Sequence, residues 1–221
     1  INQSSLGQSQ GSMFGPLVIR GVGSELNRFF LEGIPIEYAQ HFFGIHSVIS
    51  SEFISEIDVY SSAYPAIFNA DYGSVIAMHS VDEVEKFGGY ADFSLLSSAL
   101  LVKAPTYKTS FVNGEMKKET NGYFIVAGRV GYISYTIPVV ARELGLYMRP
   151  EELPQYWDYQ IKYRHNFDTR NSLTLLAVGA RDWVEFQNEE RNPSEYDPYY
   201  GDMQLSMDQQ FFTQGATYTY R

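Results

Sequence analysis

Residues 156–164 read Tyr-Trp-Asp-Tyr-Gln-Ile-Lys-Tyr-Arg and show the clearest periodicity in the chain. After Tyr156, aromatic and aliphatic side chains alternate with charged or amide side chains. Because successive side chains of a β-strand point to opposite faces, this stretch predicts a strand with one apolar and one polar face. Such a strand fits the wall of a transmembrane β-barrel, and it fits equally a half-buried strand of a soluble β-sandwich.

Further strands are predicted around this stretch. Residues 172–184 complete a hairpin with it, and residues 121–134 and 211–221 have the composition of two more strands. A single strand over residues 87–103 would be about 56 Å long at roughly 3.3 Å per residue, which exceeds the height of a bilayer core. We therefore expect two strands there, with a turn near Ser97, and about six strands in this part of the chain.

The connections between these strands differ in length. Residues 165–171 form a tight turn, whereas residues 135–154 and 188–208 are predicted to be long loops. Outer-membrane barrels have short periplasmic turns and long external loops, so by strand parity residues 104–120 should be a long periplasmic link. The loop at 188–208 carries six acids and one base, which indicates either a solvated loop or a cation site. These residues are Glu189, Glu190, Glu195, Asp197, Asp202 and Asp208, with Arg191 as the base.

The composition excludes several classes of function. The 221 residues include 16 basic and 26 acidic side chains, and a net charge of -10 argues against nucleic acid as a partner. The chain has no cysteine, and its four histidines lack the spacing of a zinc site, so neither a metal nor a cofactor is predicted. Aromatic residues make up 16% of the chain, which favours β-strands and membrane-interface girdles.

The first part of the chain predicts short strands separated by Gly and Pro turns, with a loop at residues 38–46 and one helical turn at 50–55. None of these strands is long enough to form a core alone, so we expect the rest of the chain to surround them. Residues 81–86 form a charged junction between the two parts. The predicted strands are residues 16–22, 27–32, 56–61 and 73–79.

Two features near the amino terminus have alternative interpretations. Residues 7–11, Gly-Gln-Ser-Gln-Gly, match the G-x-S-x-G pattern of a hydrolase nucleophile, with Ser9 as the nucleophile. That pattern requires a buried strand before the serine, whereas both flanks are polar, so we predict a flexible segment and no enzyme activity. Arg20 is the only charge in an apolar run, which indicates either a structural ion pair or a ligand contact.

Five short motifs together resemble the plug domain of TonB-dependent outer-membrane receptors. Their order and spacing agree with the family pattern of an I-R-G strand, a D-G-I-P turn, an I-E-x-I-E-V strand and a closing G-G-V-I run, although Glu32 stands where the family usually has Asp. The motifs are Ile19-Arg20-Gly21, Leu31 to Ile36, Ile54 to Val59, Ala63 to Ala66 and Gly73 to Ile76.

Three later motifs resemble the first barrel strands of a branch of the same family. They are Gly88 to Phe93, Gly128 to Tyr132 and Tyr156 to Tyr159. The resemblance implies a mostly β fold with a plug domain of short mixed strands at 1–85. Part of an antiparallel transmembrane β-barrel would follow at 86–221. Because such barrels have about 22 strands, about six strands imply a fragment of a longer chain.

The resemblance also implies a function and a location. The protein would take up a scarce nutrient, such as a ferric chelate or another small ligand, across the bacterial outer membrane. Its partners would be the ligand, outer-membrane lipid and a TonB-type energy-coupling protein, whose contact segment lies outside this chain. Family ligand contacts correspond by position to Arg20, Tyr38, Gln40, His41, Phe42 and Phe43.

Two alternatives remain open at this point. One is a non-transporting outer-membrane barrel that acts as a surface adhesin or structural partner, and the other is a soluble β-sandwich or hydrolase. The plug interpretation makes a specific structural prediction: residues 17–80 should pack against the polar side chains of the 156–164 strand, such as Asp158, Lys162 and Arg164.

Overall fold

The computed structural model describes residues 19, 26–42, 44, 46–69, 73–112, 115–146, 148, 153–187 and 204–221. Over these residues the protein is mostly β, which confirms the predicted class at that level. The strands are β1 (Arg28–Leu31), β2 (Ile34–Ile36), β3 (Gln40–His41), β4 (His46–Ser47), β5 (Ile54–Tyr60), β6 (Val75–Ser80), β7 (Gly88–Phe93), β8 (Ser97–Val112), β9 (Glu115–Gly131), β10 (Gln155–Asn166), β11 (Asn171–Gln187) and β12 (Gln204–Tyr220), and the helix is α1 (Ile133–Glu143).

Strands β7 to β12 form one antiparallel sheet, here called the meander, in which each strand pairs with the next along the chain. The sheet is open, with β7 and β12 at its edges. Its longest pairing joins β11 to β12 from Asn171↔Tyr220 to Gln187↔Gln204. The division of 87–103 into two strands is confirmed, although the turn lies at residues 94–96, where the Ser94 amide donates to the Ser97 carbonyl (2.9 Å).

The early strands form a second sheet in the order β2-β1-β6-β5, here called the mixed sheet because β1 is parallel to β6 and its other pairs are antiparallel. Glu32 and Gly33 connect β1 to β2 with φ of 53° and 77°. Positive φ at both central residues is the geometry of a two-residue type I′ hairpin turn. The predicted tight turn is therefore present, but Pro35 lies within β2, opposite Phe30.

A third, very small sheet pairs β3 with β4 and is here called the ribbon. Residues 38–46 were predicted to be a loop, and the ribbon corrects that prediction. Two paired residues per strand leave too little alternation for a sequence pattern to reveal. Next to the ribbon, the predicted helical turn is a single 3₁₀ turn over Ser51–Phe53.

The mixed sheet and the ribbon pack on one face of the meander, and the hydrophobic core lies between them. A Cβ atom added to Gly215 of β12 would lie 2.1 Å from Cδ1 of Ile34 in β2, so glycine permits the close approach of these two strands. The most deeply buried hydrophobic side chains are Leu31, Val48, Ile49, Phe53, Val75, Ile125, Val178 and Ala180.

The middle rows of the other face of the meander are mostly apolar and exposed, whereas Arg181 and Asp208 pair on that face nearer one end. By register, Leu100, Val126, Ile161, Leu175 and Phe212 all point away from the core, and each is at least 40% exposed. Contiguous apolar surface of this kind marks an interface with a partner or a membrane. Within the part of the chain that the structure describes, no helix has the length and hydrophobicity needed to cross a membrane.

The predicted long link at 104–120 is wrong. Strand β8 continues to Val112 and β9 begins at Glu115, so most of this stretch is a paired hairpin extension. Its side chains are mostly polar, and Lys108 lies opposite Glu119. This stretch therefore lacks the alternation of apolar and polar side chains that would have predicted strands. Its two strands form because backbone pairing continues from the hydrophobic part of the hairpin.

The predicted loop at 135–154 is also wrong, because α1 extends to Glu143. The helix contains Pro138, which has no backbone N–H to donate within the helix. Ser134 and Ala141 are buried and lie seven residues apart, so one face of the helix packs inward over two turns.

In the third predicted loop, β12 already begins at Gln204, so Asp208 is a strand residue. Its two carboxylate oxygens accept hydrogen bonds from Nε (2.9 Å) and Nη2 (2.7 Å) of Arg181. The other five acids of that loop, together with Ser9, Arg20 and Phe43, lie outside the described residues.

Candidate functional site: a buried polar column on β10

The polar face of β10 points toward the mixed sheet and the ribbon. Asp158, Gln160 and Lys162 alternate along the strand and are 4%, 0% and 1% exposed. Buried polar groups need hydrogen-bond partners, and here residues 32–82 supply most of them. These three side chains are called the polar column.

At one end of the column, the ring of His41 lies between two carboxylates. Its Nε2 is 3.1 Å from Oδ2 of Asp158, and its Nδ1 bonds Oδ1 of Asp182 on β11. All three side chains are fully or almost fully buried. Further donors complete the group: the Phe42 amide (3.2 Å) and Gln209 Nε2 (3.0 Å) both donate to Oδ2 of Asp182.

A second cation lies at the edge of the same group. Nη1 of Arg129 is 3.7 Å from Oδ2 of Asp158 and donates to the Ser47 carbonyl (2.7 Å). We call His41, Asp158, Asp182 and Arg129 the His41 cluster. Burial disfavours the imidazolium, but hydrogen bonds and charge attraction from both carboxylates outweigh it and raise the pKa of His41 above its ordinary value. The contacts with both carboxylates therefore favour the protonated ring of His41.

An aromatic ring covers the His41 cluster. The Tyr156 ring lies 4.5 Å from the His41 ring, measured between centroids. A Cβ atom on Gly131 would lie 2.3 Å from this tyrosine ring, so glycine at the end of β9 leaves the space that the ring occupies. The ring helps to keep the cluster dry, which strengthens its ion pairs.

In the middle of the column, Gln160 uses both ends of its amide. Its Nε2 donates to the Val48 carbonyl (2.7 Å) and to Oδ1 of Asp158 (2.8 Å), and its Oε1 accepts from the Ser50 amide (3.3 Å). A glutamine in this place satisfies backbone groups of the segment that follows the ribbon.

At the other end, the ammonium group of Lys162, which has three N–H donors, lies within hydrogen-bond distance of four oxygen atoms. Its Nζ lies 2.6 Å from Ser80 Oγ, 3.0 Å from Asp82 Oδ1, 3.1 Å from the Val81 carbonyl and 3.2 Å from Glu32 Oε1. The Ser80 amide also donates to Glu32 (2.8 Å). We call these residues the Lys162 cluster. It joins the β1–β2 turn and the end of β6 to the meander.

The sequence-predicted contacts of Asp158 and Lys162 with the first part of the chain are thus present. Arg164 is partly exposed, and its Nη1 lies 3.8 Å from Oδ1 of Asp82. Asp182 was not predicted. Its signal was available in β11, where the inward positions Leu176, Val178 and Ala180 are followed two residues later by an acid.

The structure brings the described members of the predicted ligand set together in and beside the ribbon. The Tyr38 hydroxyl lies 3.4 Å from the Gln209 carbonyl oxygen, and the Tyr38 ring packs edge-on against the ring of Phe211. Desolvation and the nearby charge of Asp182 raise the pKa of Tyr38. Gln40 and Phe42 are partly exposed, whereas His41 is fully buried and bonded to protein groups. A ligand could therefore reach the neighbours of His41 but not its ring.

A groove of about 650 Å³ separates the ribbon end from β7 and β8. Small inward side chains at Ser97 and Ala99 leave this space, and cationic Arg129 and Lys103 line it. Buried Nε of Arg129 has no hydrogen-bond partner among the described residues. The volume lies in the range of small-molecule sites, roughly 300–1,000 Å³.

The site has no arrangement suited to metal binding within the described ranges, where no group of three His, Asp or Glu side chains could hold an ion. In the His41 cluster the two carboxylates approach opposite ring nitrogens, so the three side chains do not converge on one point. The geometry instead suits attachment of one part of the chain to another.

No protein-family profile, curated protein or solved structure matches the chain. The structural features that bear on function are the polar column on the inner face of the meander and the apolar residues on its outer face.

Proposed function

We propose that the chain is the plug domain and the first barrel strands of a TonB-dependent receptor in a bacterial outer membrane. In this proposal the meander is part of the barrel wall, the mixed sheet and the ribbon are the plug, and a small scarce ligand is imported. The observation that carries the proposal is the reversal of polarity across β10. Its charged and amide side chains Asp158, Gln160 and Lys162 face the mixed sheet and the ribbon, whereas the side chains between them are aromatic or aliphatic and face outward.

The arrangement of outward aromatic residues supports a membrane-facing surface. Trp157 stacks on Tyr159 and contacts Phe212 near one end of the meander, whereas Tyr218 lies opposite Leu173 near the other. The two rows between them are mostly apolar. Ten residues along a strand span about 33 Å, or roughly 23 Å of height at a tilt of about 45°, close to the ~25 Å apolar band of outer-membrane barrels.

The open edges of the meander support the proposal that it is one part of a larger barrel wall. Strands β7 and β12 each leave one row of backbone groups without a partner strand in the described sheet. A transmembrane wall must satisfy those groups by closure, because lipid offers no hydrogen bonds. In the proposal, further strands of the same polypeptide complete the barrel.

The two tryptophans of the chain provide a direct test of membrane location. Both Trp157 and Trp183 face outward by register. In vesicles containing brominated lipid, we expect strong quenching of the fluorescence of a Trp183→Phe variant, which keeps only Trp157, and weak quenching by aqueous iodide. The reverse result, with the protein remaining soluble without detergent, would favour the soluble β-sandwich.

Transport requires a separate test, since an adhesin could share the same wall. Cells with and without the whole protein would be given a panel of radiolabelled ferric chelates, cobalamin, sugars and peptides. We expect uptake of one ligand that depends on both the protein and TonB. Membrane insertion without any TonB-dependent uptake would support the non-transporting alternative.

A further inference from the structure

The His41 cluster holds together parts of the chain that are far apart in sequence. The ring of His41 comes from the ribbon, and its partners Asp158 and Asp182 are 117 and 141 residues away. Two backbone bonds also attach the ribbon to the meander: the Ser47 carbonyl accepts from Arg129 (2.7 Å), and the Phe42 amide donates to Asp182 (3.2 Å). Both bonds involve members of the His41 cluster, so the position of the ribbon depends on the charges of that cluster.

Among the residues that the structure describes, the titratable groups around this ring come from the meander and from the segment of His41 itself. The meander contributes Asp158 and Tyr156 from β10, Asp182 from β11 and Arg129 from β9, and the segment of His41 itself contributes Tyr38 and His46. Asp208 on β12 adds a more distant negative charge that acts on Tyr38. The two buried carboxylates dominate this environment.

The protonation state of His41 decides whether its ring can donate a hydrogen bond to each of the two carboxylates. An imidazolium has two N–H donors and can bond Asp158 and Asp182 at once. A neutral imidazole has one N–H, so its other nitrogen presents a lone pair to a buried carboxylate. The cluster then changes from neutral to one net negative charge, and an unpaired buried charge is strongly unfavourable.

We propose that His41 is a proton-controlled latch, which holds the ribbon on the meander when the ring is protonated and releases it when the proton leaves to solvent. The latch rests on the contacts described above. Its consequence for ligand access, through the ribbon residues Gln40 and Phe42, additionally rests on the proposed function.

The direction of the pKa shift agrees with this geometry. The pKa of His41 is raised in the folded protein, so the stabilising effect of its proton is complete below about pH 6.5, the value for an unperturbed histidine. It is lost as the pH rises through the raised pKa. The latch is therefore closed on the acid side of this range and open on the alkaline side.

Two measurements on the intact chain test the latch. Nuclear magnetic resonance of ¹⁵N-histidine, assigned with single-histidine variants, gives the pKa of His41, which we expect above 6.5. Hydrogen exchange between pH 6 and 9, corrected for intrinsic exchange rates, gives the protection of amides 38–48. We expect protection to fall about tenfold for each unit by which the pKa is raised, and amides 172–180 to remain unchanged.

Matched variants separate the latch from general effects of pH. His41→Gln should abolish the pH dependence of protection at 38–48, whereas His79→Gln, which alters an exposed histidine paired with Asp58, should retain it. If His41→Gln does not fold, Asp182→Asn removes one carboxylate and should lower the pKa of His41. Protection that is constant with pH, a pKa at or below 6.5, or the same decline in His41→Gln would overturn the latch.

These outcomes are distinct from failure of the transport proposal. If hydrogen exchange at 38–48 follows the titration of His41 but cells with the protein take up no ligand, the latch is supported and the receptor proposal is contradicted. If ligand uptake depends on the protein but exchange at 38–48 does not change with pH, the receptor proposal is supported and the latch is contradicted.

Discussion

The two ends of the polar column attach the first part of the chain to the meander by different chemistry. The His41 cluster contains two buried acids, a histidine and an arginine, and its side chains are 7% exposed or less. The Lys162 cluster contains one buried lysine and two acids that reach water, with side chains of Glu32 and Asp82 25% and 69% exposed. The first attachment is dry and contains a histidine whose pKa is raised by its two carboxylate partners, and the second is wetter and contains a lysine whose pKa is also raised.

This difference predicts how each attachment fails. Removing the cation from a dry cluster leaves buried charges that water cannot reach, whereas removing it from a partly wet cluster leaves charges that water can solvate.

Replacing His41 by phenylalanine should destabilise the protein most. The variant keeps an aromatic ring beside Tyr156 but leaves Asp158 and Asp182 without a donor between them. We expect a loss of about 3–5 kcal/mol in the free energy of unfolding, the range for breaking a buried ion pair. Urea unfolding of the native chain and the variant, both in the same buffer or detergent in which the native chain is folded, measures this change. A loss below 1 kcal/mol would show that the cluster does not hold the fold.

Replacing Lys162 by methionine should cost less, about 2–3 kcal/mol, because Asp82 and part of Glu32 are solvated when the ammonium is gone. The methionine retains much of the aliphatic stem, so packing is largely preserved. The same urea measurement applies. A larger loss than that of His41→Phe would reverse the order of the two clusters.

The pH dependence of stability should come from the His41 cluster. Because the folded pKa of His41 is raised, its contribution is full below about pH 6.5 and declines as the pH rises through that pKa. The expected decline is about 1.4 kcal/mol for each unit of elevation. Unfolding free energies from pH 6 to 9 should show it in the native chain and in Lys162→Met, but not in His41→Gln. An equal slope in all three proteins would assign the effect to other groups.

The smallest effect is expected at the surface pair of His79 and Asp58, whose side chains are 44% and 38% exposed. Exposed ion pairs contribute about 0–1 kcal/mol, so His79→Gln should change stability by less than about 1 kcal/mol. This variant serves as the reference for both clusters. A loss comparable to that of His41→Phe would mean that burial does not explain the contrast.

Local patterns in the sequence predicted much of the architecture. The alternation at 156–164 placed Asp158 and Lys162 on the face that meets the first part of the chain, and both contacts are present. The Gly33 turn and the strands β1, β5, β6, β10 and β11 were predicted near their observed positions. These features depend on side-chain period and turn conformation, which neighbouring residues determine.

Features without a local signal were missed. The polar extension of the β8–β9 hairpin, the helix that contains Pro138 and the early start of β12 all depend on pairing or packing with distant residues. The predicted ligand set was close to the site because the ribbon lies beside the polar column. His41 was predicted to be a ligand contact, and its burial between two acids of the meander depends on residues too distant in sequence for a local pattern to indicate.

The amino-acid pattern established a mostly β chain, the two faces of β10 and the short strands of the first part. It could do so because strand periodicity and turn preferences act over a few residues. The pairing of His41 with Asp158 and Asp182 required the folded chain, because electrostatic interactions act through space and depend on burial. The two acids are 117 and 141 residues from His41 in the sequence, so only the folded chain brings the three side chains into one buried cluster.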